Sequence, residues 1–423
     1  MPTMPSAGIL FTALLALASH SAAHSNVERL MRIAPNGTMV GKEGFPRGFV
    51  SRTNPAYSDP AVGWLLPPNG RPDGKVIHPD DKVASPPQRV ANYTNELPML
   101  VASPGDLIAL QYQENGHVTL PDNQPNKALN RGTIYIYGTT ELAPDANLLD
   151  ILYQWTPDGT GGDGKGSLLA TRNFDDGQCY QLNGGPISQT RVATFAKSAE
   201  NPMGQNLWCQ SDVALPNGLA VGKPYTLIWI WDWPTLDRPD VAAPPSSAPG
   251  AAAGTNGAKV EIPEIYTTVM DVQIVDPCDE SLGQVKGPGC KVANTSVKTV
   301  FAKGQDLNLA AIAEQIINSF LVDVPGITGG SGSPNASATT NSSPPATTRC
   351  SGHHPHGPAG GRVKTKTVYS NIKTVTVTTT VGVAGPTAVG TGASSLTSEY
   401  TPPTGAPTVS SFMKIDKLRR VRT

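Results

Sequence analysis

The sequence predicts a mainly β protein, an antiparallel β-sandwich with long loops, and three observations predict it. The 423 residues include 43 Gly and 40 Pro, too many helix breakers for a helix-rich architecture. The apolar segments are short and rich in β-branched and aromatic residues. Pro/Gly turns separate them, which suits a sandwich better than alternating strands and helices. The formal net charge of -1 implies no overall pull on nucleic acid.

Taken in order, the chain opens with the apolar run Ile9–Ala18, too short to span a bilayer and followed by the small residues Ser21, Ala22 and Ala23. This reads as a secretory signal peptide over residues 1–23, with cleavage after Ala23 and a mature chain starting at His24. Residues 24–276 are expected to form the sandwich domain. Its first part, 24–100, is rich in Pro, Gly, Asn and Asp and reads as long loops. Strands are predicted over Asp106–Tyr112, entered through Pro104-Gly105, and over Gly132–Gly138, Leu148–Trp155, Ser167–Thr171, Tyr225–Trp233 and Ile265–Val275. Alternation puts Trp229, Trp231 and Trp233 on one face, read as core rather than a sugar-stacking platform. Ala242–Gly257, built of Ala, Pro, Ser and Gly, reads as a surface loop.

Residues 277–330 are expected to extend the domain with a disulfide loop and a short helix. That helix is capped by Asp306 and presents Leu309, Ile312, Ala313, Ile316, Ile317 and Phe320 at helical spacing. Residues 331–423 are Gly-, Ser-, Thr- and Pro-rich, a composition that cannot offset the entropy of ordering. They read as a disordered, O-glycosylated tail in which only Lys364–Val383 alternates Thr and Val. Of the five cysteines, Cys179 is expected to pair with Cys209 and Cys278 with Cys290. Cys350 is left free or intermolecular. Sequons at Asn36, Asn92, Asn294, Asn335 and Asn341 agree with secretion. No later apolar run suits a transmembrane helix, and the basic C-terminus is not a lipid-anchor signal.

The candidate chemistry lies in the histidines. A chain beginning at His24 offers one metal two nitrogens, the α-amino group and the ring. The amine's pKa of about 7.7–8.0 lets a metal displace its proton near neutral pH. One further histidine completes a three-nitrogen set suited to copper. His353, His354 and His356 lie in the tail, where nothing prepares a geometry. His78 lies in a proline-bounded loop and reads as a surface residue. His117 follows the first clear strand, and Gly116 permits a tight turn before it.

With these residues in view the chain resembles the lytic polysaccharide monooxygenases, secreted copper enzymes with an N-terminal histidine and a second histidine on an immunoglobulin/fibronectin-like sandwich. Three features carry the resemblance: cleavage before His24; Pro104-Gly105-Asp106 leading through a strand to Gly116-His117; and a closing strand in which Tyr266 stands five residues before Asp271. The segments Ala34–Thr38, Asn173–Tyr180 and the Trp-rich strand are more similar still to an uncharacterised group of secreted fungal proteins. The resemblance covers about residues 24–276. It implies copper held by His24 and His117 with Tyr266 on the axial side. It places Glu264 where many fungal members have a Gln beside the reacting oxygen. It further implies a polysaccharide substrate (cellulose, chitin or another cell-wall glycan), an external electron donor, a monomer and no membrane attachment. The cysteine that many fungal members carry where Val269 stands is absent. On the residues alone, Tyr266 is equally a buried core tyrosine and Glu264 an ordinary exposed strand residue. Two other functions fit the same sequence: a secreted copper-binding protein that cuts nothing, and a cell-wall glycoprotein without metal.

Overall fold

The alternation read along the Trp-rich segment is the axis of the structure, a computed structural model. It describes residues 25–35, 37–58, 62–195, 197, 204–238, 258–291, 312–323, 363–370 and 373–380. The chain divides into two units, Met1–Pro344 and Pro345–Thr423. In order, the first unit holds β1 (Val27–Ile33), β2 (Met39–Gly44), β3 (Trp64–Leu66), β4 (Leu100–Ala102), β5 (Leu107–Tyr112), β6 (Thr133–Thr139) and β7 (Gly166–Asn173). Helix α1 (Pro186–Thr194) comes next, then β8 (Cys209–Ala214), β9 (Pro224–Asp232), β10 (Thr235–Leu236), β11 (Val260–Ile262), β12 (Ile265–Ile274) and the short α2 (Ala313–Ile317).

The strands form an immunoglobulin/fibronectin-like antiparallel sandwich. One sheet has the order β2-β1-β5-β8. The other runs β3-β12-β9-β6-β7, with β4 pairing parallel to the far end of β12. Trp229, Trp231 and Trp233 point between the sheets and are fully buried, packed with Tyr112, Phe174, Leu110 and Met270. Burial of each such ring contributes roughly 1.5–3 kcal/mol before ordering costs. The opposite face of β9, with Ile228 and Ile230, is buried as well, under Leu148, Ile151, Leu152 and Trp155.

That covering segment is not the strand expected over Leu148–Trp155. It is a 3-10 turn, Leu148–Asp150, continued by bonds from Leu152 N to Leu148 O and from Trp155 N to Ile151 O. The apolar residues recur at helical, not strand, spacing, and period decides the face that packs.

The reading of residues 24–100 as loops is also corrected. β1 is buried along its whole length and pairs with both β2 and β5. Its charges hid it. Arg32 meets Asp106 at 2.8 Å, Arg29 donates to Gln111 Oε1 at 2.6 and 2.8 Å, and Glu28 takes the guanidinium of Arg52. Satisfied in this way, the polar groups are buried without a large penalty. The loops proper, within 45–58 and 67–99, cover the stretch of β12 between β3 and β4. There Arg47 grips Asp271 through two 2.7 Å bonds, and Asp271 N donates to the Tyr93 hydroxyl.

Both expected disulfides form, Cys179–Cys209 and Cys278–Cys290. The helix expected near the end of the unit is present but short. Its proposed cap Asp306, and Leu309, lie outside the described residues. Phe320 is not helical: it bridges to Thr171 on the edge strand β7. Residues 312–323 close one side of the sandwich. The Gln315 side chain pairs with the β8 backbone, accepting from Asp212 N at 2.6 Å and donating to Gln210 O at 3.2 Å. Buried Arg172 donates to the carbonyls of Gln315, Asn318 and Ser319. The segment is therefore held by polar backbone contacts, and Ile317 stays 76% exposed.

In the second unit, Val363–Ser370 (β13) pairs antiparallel with Lys373–Thr380 (β14). The hairpin falls in the stretch Lys364–Val383, whose Thr/Val alternation admits a paired strand. The rest of the tail, His353, His354, His356, Cys350 and the Ala242–Gly257 loop lie outside the described residues.

Candidate metal centre

β5 delivers the chain to His117 through a turn that the sequence specifies residue by residue. Asn115 and Gly116 both take left-handed backbone, at φ 48° and 79°, where Asn is tolerated and Gly unstrained. Glu114 organises the far side of this turn. Its carboxylate accepts from Val118 N at 2.8 Å, Thr119 N at 3.3 Å, the Thr119 hydroxyl and Gln181 N at 2.8 Å. His117 is held from both sides as a result: its own N–H donates to Glu114 O at 2.8 Å, and the next two residues hang on the carboxylate.

The His117 ring is fully buried, 4.7 Å from the Trp233 ring and 5.6 Å from Trp231. Its Nδ1 faces Gln124 Oε1 at 3.3 Å. An N–H at Nδ1 would match that acceptor, and in that tautomer a neutral ring has its lone pair at Nε2.

Tyr266 pairs with Trp231 in the β9–β12 ladder, and their rings stack at 5.2 Å. His117 and Tyr266 thus flank the same indole. The Tyr266 hydroxyl donates to Glu264 Oε1 at 2.6 Å, and Glu264 Oε2 takes the Lys127 ammonium at 2.6 Å. Lys127 is buried, lies 3.8 Å over the Trp233 ring and donates to Trp233 O at 3.0 Å. Burial lowers the Lys127 pKa, partly offset by Glu264. Burial, and then the Glu264 charge, hold the Tyr266 phenol well above its ordinary value, so it stays protonated at any ordinary pH.

His24 lies outside the described residues, but its neighbour Ser25 does not. Ser25 Oγ donates to Gln113 O at 2.8 Å, and Val27 N donates to Thr268 Oγ1 at 3.2 Å. The start of the domain is pinned between the segment that leads to His117 and the strand that carries Tyr266. Glu264 is not the free strand residue of the alternative reading. Glu114, Gln124 and Lys127 were not singled out from sequence. Glu114, three residues ahead of His117 across an Asn-Gly turn, left the clearest trace. Gln124 and Lys127 arrive from a polar loop with no periodic signal.

One indole thus has beside it an imidazole, a donor type that suits copper, and a phenol kept protonated by burial. His78 bonds Asp73 on the surface at 2.6 Å. Among the described residues, the only cluster of three potential metal ligands is Asp176 with Cys179 and Cys209. There the two sulfurs are bonded to each other, so it is a structural site. No described helix is long and apolar enough to cross a membrane.

A family model described as "Domain of unknown function (DUF7492)" matches residues 21–312. No curated protein sequence matches. Among solved structures the chain is similar to one titled CvAA9A, at 14% identity and a TM-score of 0.25, over 67% of this chain and 85% of that one. It is also similar to a cellulose-active polysaccharide monooxygenase from M. thermophila, at 10% identity and a TM-score of 0.24, over 67% and 97%. A third, a Bacillus amyloliquefaciens CBM33 in complex with Cu(I), shows 12% identity and a TM-score of 0.20, over 49% and 76%.

Proposed function

The chain belongs to the DUF7492 family, and from its own residues we propose that it is a secreted, copper-dependent polysaccharide monooxygenase. The observation that carries this reading is the pinning of Ser25 and Val27 against Gln113 and Thr268. It supports a mature N-terminus that opens beside His117 and Tyr266. In this reading, signal cleavage before His24 frees the α-amino nitrogen. That nitrogen, the His24 ring and the His117 ring would hold copper, with the Tyr266 phenol close by on the same indole.

Copper so held would supply one-electron redox chemistry, drawing on an external donor to activate oxygen against a carbon beside a glycosidic bond. The protein's share is positional. Gln124 fixes the His117 tautomer, and Glu114 fixes the turn that aims it. The Lys127–Glu264 pair holds the Tyr266 hydroxyl, so that the phenol remains protonated and neutral. Trp231 and Trp233 keep water from the inner side of the His117 ring. Glu264 has both oxygens engaged, as an acceptor for Tyr266 and a partner of Lys127. It therefore acts by orienting its neighbours.

The test combines N-terminal sequencing of the secreted protein with a product assay on several insoluble glycans. The reading requires a start at His24 and oxidised oligosaccharides released only with copper and a reductant. A start at another residue, or no such products from any glycan, would set it aside.

A further inference from the structure

The loop 86–98 presents two kinds of side chain. Those turned inward hold β12. Gln88 Oε1 accepts from Val269 N at 3.0 Å, and the Tyr93 hydroxyl accepts from Asp271 N at 2.8 Å while donating to Asp271 Oδ2 at 3.0 Å. Pro87, Val90 and Asn92 are exposed instead, Val90 to 58%. The segment 45–49 lies against this loop. Gly48 N donates to Asn92 O at 2.8 Å, and a Cβ at position 48 would come within 2.9 Å of Pro87. Phe45 and Phe49 stack at 5.3 Å and are only half-buried. Two touching segments therefore carry four partly or fully exposed apolar side chains and one asparagine whose backbone is fixed between them. Clustered exposed apolar surface calls for something to cover it.

We propose that Asn92 carries a covalent N-linked glycan that covers the apolar surface of Phe45, Phe49, Pro87 and Val90. The inference rests on the secretion of the chain, one part of the function proposed above. Asn92-Tyr93-Thr94 is an acceptor triplet for this modification. The fold leaves room for the product: Asn92 is exposed, its amide bonds to no described residue, and Tyr93 beside it is drawn inward to Asp271. The step is a glycosyl transfer from a lipid-pyrophosphate-linked oligosaccharide of the secretory pathway. A C–N bond forms between the anomeric carbon and Asn92 Nδ2, the anomeric C–O bond breaks, Nδ2 gives up one proton and the lipid pyrophosphate leaves. A branched glycan sweeps the surface around its root. The C–H faces of its sugars can lie on apolar side chains while its hydroxyls stay in water, so the patch is covered without loss of solubility. The root itself does not wander, since Asn92 O is bonded to Gly48 and Tyr93 is tied to β12.

The test uses the full chain expressed in a fungal host, wild type beside Asn92→Gln. This substitution removes the acceptor and leaves Thr94, whose hydroxyl accepts from Leu97 N at 3.1 Å, in place. Peptide mass spectrometry after enzymatic removal of N-glycans, which turns a glycan-bearing Asn into Asp, reads occupancy at position 92. Binding of the apolar dye ANS by the intact proteins reads the covering. The expected result is an occupied Asn92 in most secreted wild-type chains, and dye binding about threefold or more higher in Asn92→Gln at an unchanged melting temperature. If Asn92→Gln is not secreted, wild type trimmed enzymatically to one sugar takes its place, with the same rise in dye binding expected. An unmodified Asn92 in the secreted protein overturns the proposal, and equal dye binding with and without the glycan overturns the covering role. A wild-type chain that never reaches the medium takes the secretion reading down with it, whereas a secreted chain with a bare Asn92 removes this site alone.

Discussion

Lys127 Nζ lies 2.6 Å from Glu264 Oε2, joining a loop to a strand 137 residues away in sequence. The bond fixes two parts of the candidate centre at once. It anchors the loop whose Gln124 meets His117, and it holds the carboxylate that accepts from Tyr266. Replacing Lys127 with Met leaves that carboxylate unpaired in a site where its side chain is only 21% exposed. Partial solvation reduces the penalty from that of a fully buried pair, so a loss of about 2 kcal/mol is expected, with Lys127→Arg retaining most of it. Urea unfolding measures this. An unchanged midpoint in Lys127→Met would contradict the role given to the pair.

Glu114 accepts four hydrogen bonds around the His117 turn, three from backbone N–H groups. A glutamine there keeps one acceptor oxygen and turns an NH2 toward donors. Glu114→Gln is expected to cost about 3 kcal/mol of stability and to weaken copper binding at least about tenfold, as loss of a positioning partner does. Unfolding and copper titration of one sample test both. A variant as stable as wild type would remove Glu114 from the account.

Arg172 is buried and holds residues 312–323 through three of their carbonyls. Replacing it with Met strands those carbonyls against the sandwich. Amide exchange in 312–323 should then speed by at least about tenfold, while exchange in β9 stays near that of wild type. Mass spectrometry of deuterium uptake distinguishes this from global loosening, which would raise both.

Asp212 accepts from Ile312 N at 2.7 Å, and burial pushes its carboxyl up to about 7 against the pull of that bond and of Arg172. Burial likewise lifts Asp176 to about 6. In both, the folded pKa exceeds the unfolded one. Their contribution to stability is therefore full below about pH 4 and is lost as pH rises through 6 to 7. Asp212→Asn keeps an acceptor for Ile312 and removes the titration. Between pH 5 and pH 8 the wild type should lose stability by roughly 2 kcal/mol more than Asp212→Asn. Parallel pH profiles for the two proteins would refute the assignment.

How much the sequence disclosed depends on how each signal arises. Strand alternation is local, so β5, β6, β9 and β12 could be read directly, and the inward face of Trp229, Trp231 and Trp233 with them. β1 escaped because Glu28, Arg29 and Arg32 look solvent-facing until their partners Arg52, Gln111 and Asp106 fold against them. Leu148–Trp155 was misread because a short apolar run suits strand and helix alike, although its spacing was helical. At the candidate centre, His117 and Tyr266 stand out only through the resemblance, and the structure sets both rings beside Trp231. Gln124 and Lys127 do not stand out at all, since their meaning lies in contacts with a histidine before them and a glutamate far beyond them.

The central claim is that the N-terminal amine and ring of His24 and the ring of His117 grip one copper ion. Copper(II) titration of the secreted protein beside His117→Ala tests it most directly. The account predicts one ion per wild-type chain and binding at least about a hundredfold weaker in the variant. Equal affinity in the two proteins would contradict it.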